Sequence, residues 1–186
     1  MKKVVVVLAL MLGMSFGVYA QDYGIKKGYK GFFEIGYIYS NSELEFMTSQ
    51  KLGTTRQSRI ELTTTHGAQL NPYVFVGGGI SLDCYTETLY FAAPIFVNAR
   101  VTPLKGNITP YFDVKGGYGL GYIQGPYASA HIGCRFGITK KVGFNVGVGY
   151  TYITVPKRKY VYDPLGYYKG DMMSTNGFGI NVGFDF

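Results

Sequence analysis

The chain has 186 residues, a formal charge of +7, 27 Gly, 18 Tyr, 13 Phe and no Trp. That length suits one domain, and so much glycine and aromatic residue with only 16% charged residues excludes a disordered or mainly helical chain. No run beyond the N-terminus reaches 18 consecutive apolar residues, which excludes a membrane-spanning helix there.

The first element is removable. Lys2 and Lys3 form a basic n-region, Val4 to Leu12 an apolar h-region, and Val18-Tyr19-Ala20 a peptidase-like site. The apolar run is short for a bilayer-spanning helix, which takes roughly 20 residues. Residues 1–20 therefore read as a signal peptide cleaved before Gln21, 21–28 as a periplasmic N-terminal segment, and 29–186 as the folded domain. No cysteine flanks the cleavage site, so lipoprotein processing is not expected. Without Lys2 and Lys3, 16 basic residues face 11 acidic ones. An exported chain has little access to nucleic acid, so an anionic membrane surface is the expected partner.

Eight segments then alternate with period two, at about 29–40, 58–70, 73–85, 90–102, 109–122, 126–138, 142–153 and 174–186. Each has the length of a tilted membrane-crossing strand, about 9–11 residues plus ends. One parity is apolar: Phe33, Ile35, Tyr37 and Tyr39 in the first, Val74, Val76, Ile80 and Leu82 in the third, Phe144, Val146, Val148 and Tyr150 in the seventh. The second is the weakest, with Ser58, Thr64 and His66 beside Ile60, Leu62 and Leu70. Every charged strand residue has the other parity: Lys30, Glu34, Arg59, Glu61, Asp83, Arg100, Asp113, Lys115, Arg135 and Asp185. The links around Asn71-Pro72, Pro103 to Ile108 and Thr139-Lys140-Lys141 are short, whereas 41–57 and 154–173 are long. Short periplasmic turns opposite longer outer loops are expected of outer-membrane barrels.

Alternation does not say which way the apolar parity points; a soluble ligand-binding barrel would turn it inward. Three features favour outward. Glycines such as Gly67, Gly77, Gly79, Gly117, Gly133, Gly147 and Gly149 crowd the polar parity, where a narrow barrel has room only for packed side chains. The ten charges on that parity are balanced, five of each sign, as an enclosed interior requires. Tyr residues lie towards the ends of the apolar faces, where polar-tipped rings meet a membrane boundary. The expected fold is all-β, an eight-stranded antiparallel up-and-down transmembrane β-barrel, since strands in lipid must close on themselves.

The ending, Gly177-Phe178-Gly179-Ile180-Asn181-Val182-Gly183-Phe184-Asp185-Phe186, resembles the last strand of outer-membrane barrels. With the strand count and loop pattern, the chain resembles the OmpX/OmpA-type eight-stranded family over about 29–186. The resemblance implies an integral outer-membrane protein, with Phe184 and Phe186 read by the barrel-assembly machinery and with outer-membrane lipid and lipopolysaccharide as partners. A closed small barrel needs no partner, so a monomer is expected, and no cofactor is expected. No peptidoglycan-binding domain is expected after the barrel, so an anchoring role is not carried over.

Several constellations carry chemistry. The ten inward charges form either a gated polar channel or a plug of salt bridges, and an eight-stranded lumen favours the plug. Arg59 and Glu61 are expected near Asp83, Lys30 near Asp185, and Arg100, Asp113, Lys115, Arg135 and Glu34 in one further cluster. Ser129-x-His131 reverses the His-x-Ser order of the lipid A deacylase family and faces inward, and no orienting acid is evident. Catalysis is therefore not expected, and neither is a metal at His66, which has no second ligand. Cys84 and Cys134 lie on non-adjacent strands, too far apart for a disulfide. In the last long loop, Lys157, Arg158, Lys159, Tyr160, Tyr162, Tyr167, Tyr168 and Lys169 form either a surface contact or a solvated loop at the headgroup level. The expected function is a non-enzymatic structural or surface-interacting role without a wide pore. The alternatives are an outer-leaflet lipid-modifying enzyme and a secreted ligand-binding barrel.

Overall fold

The computed structural model describes residues 27–40, 43–48, 51–56, 58–86, 91–121, 124–139, 141–157 and 171–186. The signal peptide lies outside the described residues, as do Arg158, Lys159, Tyr160, Tyr162, Tyr167, Tyr168 and Lys169 of the last loop.

The strands are β1 (Gly28–Ser40), β2 (Glu43–Thr48), β3 (Lys51–Arg56), β4 (Arg59–Asn71), β5 (Val74–Tyr85), β6 (Phe91–Val101), β7 (Ile108–Gly121), β8 (Gly125–Gly137), β9 (Gly143–Lys157) and β10 (Asp171–Asp185). Eight of them close an antiparallel barrel in the order β1-β10-β9-β8-β7-β6-β5-β4, with β4 pairing back onto β1. The expected fold class is observed. The seam is tied at the end of the chain, where Gly31 N–H donates to Phe186 O at 2.9 Å and Phe186 N–H returns the bond at 3.0 Å. The Phe186 ring lies 2.6 Å from where a Gly31 Cβ would sit, so any side chain at Gly31 would displace it.

The pleat sorts the side chains as the alternation demands. Val97 is 70% exposed and Phe178 63%, while Arg59, Asp83 and Asp185 are fully enclosed. Inward glycines make the lumen fit. A Cβ on Gly133 would strike Val146 O and the Tyr111 ring; on Gly79, Thr64 O and the Phe96 ring. The glycines are thus the recesses that take large inward side chains from neighbouring strands.

We call the end bearing the turns 71–73, 102–107 and 138–142 the turn end, and the opposite rim the loop end. Asn71 Oδ1 accepts from Tyr73 N–H at 2.8 Å and Val74 N–H at 2.9 Å, so its side chain stands in for a backbone turn. At the loop end Gly121 closes β7 with φ +95°, a conformation that disfavours any side chain.

Two expectations on connections are revised. The segment 41–57, read as loop, contains the hairpin β2–β3, paired from Glu43↔Arg56 to Thr48↔Lys51 and separate from the barrel sheet. The last strand pair runs past its expected ends: β9 reaches Lys157 and β10 starts at Asp171, so part of the expected 154–173 loop is ladder.

Candidate functional site

The lumen is where the chemistry collects, and its charges fall into two tiers. In the turn-end tier, Glu34 on β1 accepts from Arg100 Nη2 at 2.6 Å and from Lys115 Nζ at 3.0 Å. Arg100 also donates from Nε to Asp113 Oδ2 at 2.8 Å, and Asn98 Nδ2 donates to the same oxygen at 2.9 Å. The Arg100 guanidinium lies 4.0 Å from the Phe32 ring centre and 4.3 Å from that of Tyr111. Flat cations gain from aromatic faces, more so when desolvated.

Asp185 organises the second group of this tier. It pairs with Lys30 Nζ at 2.9 Å, with Arg135 Nε at 2.9 Å, and accepts from Asn145 Nδ2 at 3.0 Å. Here one expectation is corrected. Arg135 joins Asp185 and Lys30, not the Glu34–Arg100 cluster. Asp185 stands opposite Gly143 in the β9–β10 register, and a Cβ on Gly143 would sit 2.6 Å from Arg135 Cζ. The missing side chain opens the slot through which Arg135, one strand further round, reaches its partner.

The loop-end tier is built differently. Arg59 Nε lies 3.2 Å from Asp83 Oδ2, an ion pair outside hydrogen-bond geometry, with the guanidinium 5.7 Å from the Tyr85 ring centre. Glu61 and Asp83 stand directly opposite each other across β4 and β5. Hydroxyls hold these acids. Ser81 donates to Asp83 Oδ1 at 2.7 Å, while Thr63 and Tyr127 donate to Glu61 Oε1 at 3.1 and 3.2 Å. Glu61 Oε2 is buried with no hydrogen-bond partner. Tyr85, Ala92, Phe96, Tyr127 and Ile153 form an apolar layer around this tier.

The other candidates are dispersed. The Ser129 hydroxyl lies 3.4 Å from Tyr127 Oη, and His131 stands opposite Asp113 across β7 and β8. His66 is on the outer wall and both its ring nitrogens are engaged, by Tyr29 Oη at 2.6 Å and Thr64 Oγ1 at 3.0 Å, with Phe186 edge-on at 6.3 Å between ring centres. Cys84 and Cys134 are free thiols. Phe184 and Phe186 face outward. Across β8, β9, β10 and β1 the outer wall carries an open apolar depression of about 690 Å³, bordered by Tyr37, Tyr39, Tyr150 and Phe178.

Sequence reasoning missed the inward rings Phe32, Phe75, Phe96, Tyr85, Tyr111 and Tyr127. The signal was present: a bulky residue on the glycine-rich parity with glycines beside it on its own and the neighbouring strand, as Phe75 has Gly77 on β5 and Gly67 on β4.

The fold can be set beside known ones. No family model and no curated protein matches the chain. Among solved structures, it is similar to Neisserial surface protein A (NspA), with TM-score 0.58 and 12% identity, covering 87% of this chain and 98% of that one. It is similar to outer membrane protein OprG from Pseudomonas aeruginosa, with TM-score 0.54 and 12% identity, covering 89% and 98%. It is also similar to outer membrane protein AlkL in lipid bilayers, with TM-score 0.57 and 11% identity, covering 91% and 93%. The chain therefore shares the fold of small eight-stranded outer-membrane barrels.

Proposed function

We propose that this chain is an integral outer-membrane protein whose barrel is a closed scaffold rather than a pore, with its longer connections as the contact surface. It acts without catalysis, as a monomer, in the manner of the OmpX/OmpA-type barrels. One observation carries the reading: the outer wall is apolar around the cylinder while all ten charged barrel residues of the expected set, five of each sign, are buried, none more than 7% exposed. In water that arrangement would leave a large greasy surface uncovered; in lipid it satisfies both faces. The turn end then faces the periplasm and the loop end the exterior, where basic and tyrosine side chains of the last loop meet lipopolysaccharide phosphates. Phe184 and Phe186 serve the assembly machinery.

Membrane fractionation and planar-bilayer recording test this together. The chain should require detergent for release, and the reconstituted barrel should show no steady solute-sized conductance. Recovery in the soluble fraction would overturn the membrane reading. Stable conductance would overturn the closed scaffold while leaving the membrane reading intact.

A further inference from the structure

We propose that the turn end of the lumen is a binding site for one monatomic anion of the halide class, held by Arg100 and Arg135 with Lys30 beside them. Just inside that rim is a small cavity with room for about 10 Å³ of a water-sized particle. Lys30, Arg100 and Arg135 are on its wall, together with the neutral polar Gln69, Thr102 and Asn145, and no carboxylate is. The acids that pair with these cations, Glu34, Asp113 and Asp185, are off that wall and bond through Nε, Nη2 and Nζ. One guanidinium nitrogen of each arginine is left over. Arg100 Nη1 and Arg135 Nη1 are both buried and have no hydrogen-bond partner. Each residue is only 4% exposed.

Leaving a buried charged donor unsatisfied is costly, about 1–3 kcal/mol or more per group. Charge points the same way. The tier has four cations, Lys30, Arg100, Lys115 and Arg135, for three carboxylates, Glu34, Asp113 and Asp185. The offsetting acid lies in the loop-end tier, where Glu61 and Asp83 face one arginine, so a monovalent anion at the turn end meets a local excess of one cation. Phe186 is not on the cavity wall, and its O accepts from Gly31 N–H at the sheet edge. Exposed Lys27, Lys105 and Lys141 ring the same mouth, and a rim of one sign raises the local concentration of counter-ions. Size sets the class: a space for about one water-sized particle excludes phosphate, sulfate and organic acids. Asn145 and Tyr111 are also on the wall, and the unpartnered Asn145 Oδ1 and Tyr111 Oη suit a water molecule, so water is the rival occupant.

Bromide is the probe. Crystals of the full folded barrel with bromide replacing chloride should give one anomalous peak inside the turn end, between Arg100 and Arg135. In solution the halide salt should raise the melting temperature of the folded barrel above that in gluconate at equal ionic strength. Arg135→Gln should abolish that difference or weaken halide affinity roughly tenfold, the loss expected for one charged hydrogen bond. Where Arg135→Gln fails to refold, Arg135→Lys keeps a cation for Asp185 and removes Nη1, and the same loss is expected. Density for water without anomalous signal, bromide only on exposed lysines as an adventitious ion only, or an unchanged halide response in either variant overturns the proposal.

Discussion

The two ends of the lumen are made of the same strands yet solve the burial of charge in different ways. At the turn end, cations outnumber acids and each acid bonds two or more donors, with Arg100 between the rings of Phe32 and Tyr111. At the loop end, two opposed carboxylates have one arginine near them, and Ser81, Thr63 and Tyr127 supply hydroxyls instead of charge. The difference teaches that a narrow barrel can be filled either by reciprocal ion pairs or by hydroxyl relays inside an aromatic layer. Only the first makes each member indispensable. Where every carboxylate answers to a specific cation, removing one cation strands several groups. Where one carboxylate is already in excess, removing it strands none.

Substitutions at the two ends should separate these designs. The largest effect is expected for Arg100→Met, which leaves Glu34 and Asp113 buried with fewer donors. Breaking a buried pair on one side costs about 3–5 kcal/mol, read as a lower urea midpoint for the folded barrel in lipid or detergent. A loss below about 1 kcal/mol would erase the distinction between the tiers. Gly133→Ala comes next. Its methyl group would meet Val146 O and the Tyr111 ring, and overpacking of this kind costs about 1–3 kcal/mol. Gly116→Ala is its control, since nothing lies near that outward position, and it should leave the midpoint in place. The smallest change belongs to Glu61→Gln at the loop end. It keeps an acceptor for Thr63 and Tyr127 and removes a like charge facing Asp83, so the result should fall between a loss of about 1 kcal/mol and a small gain. A loss as large as that of Arg100→Met would mean the loop end is equally dependent on its charges.

Much of this was legible in the chain because period two is a strong signal when one face meets a different medium. The parity of Val74 to Cys84 or Phe144 to Tyr152 gives strand, face and register at once, as a one-residue slip would turn Asp83 or Asn145 outward. The hairpin β2–β3 was not legible. Its strands are 6 residues long and pair only with each other, and two short strands without a third leave little pattern to read. Ion partners were partly legible. Lys30 and Asp185 follow from closing first strand on last, and Arg59 and Asp83 from one tight turn. Arg135 did not follow, because its reach depends on an absent side chain at Gly143. Pair choice within a lumen is set by which neighbours are missing, and period-two counting does not register that.

Site-directed spin labelling tests the central claim most directly. Single nitroxides would be placed at Val97, Ile132, Val148 and Ile180 in a background where Cys84 and Cys134 are alanine, and the barrel reconstituted in phospholipid bilayers. Ready collision with oxygen and protection from a water-soluble nickel chelate are expected at all four. Free access of the chelate to those positions, or labels buried from both reagents inside the cylinder, would contradict that claim.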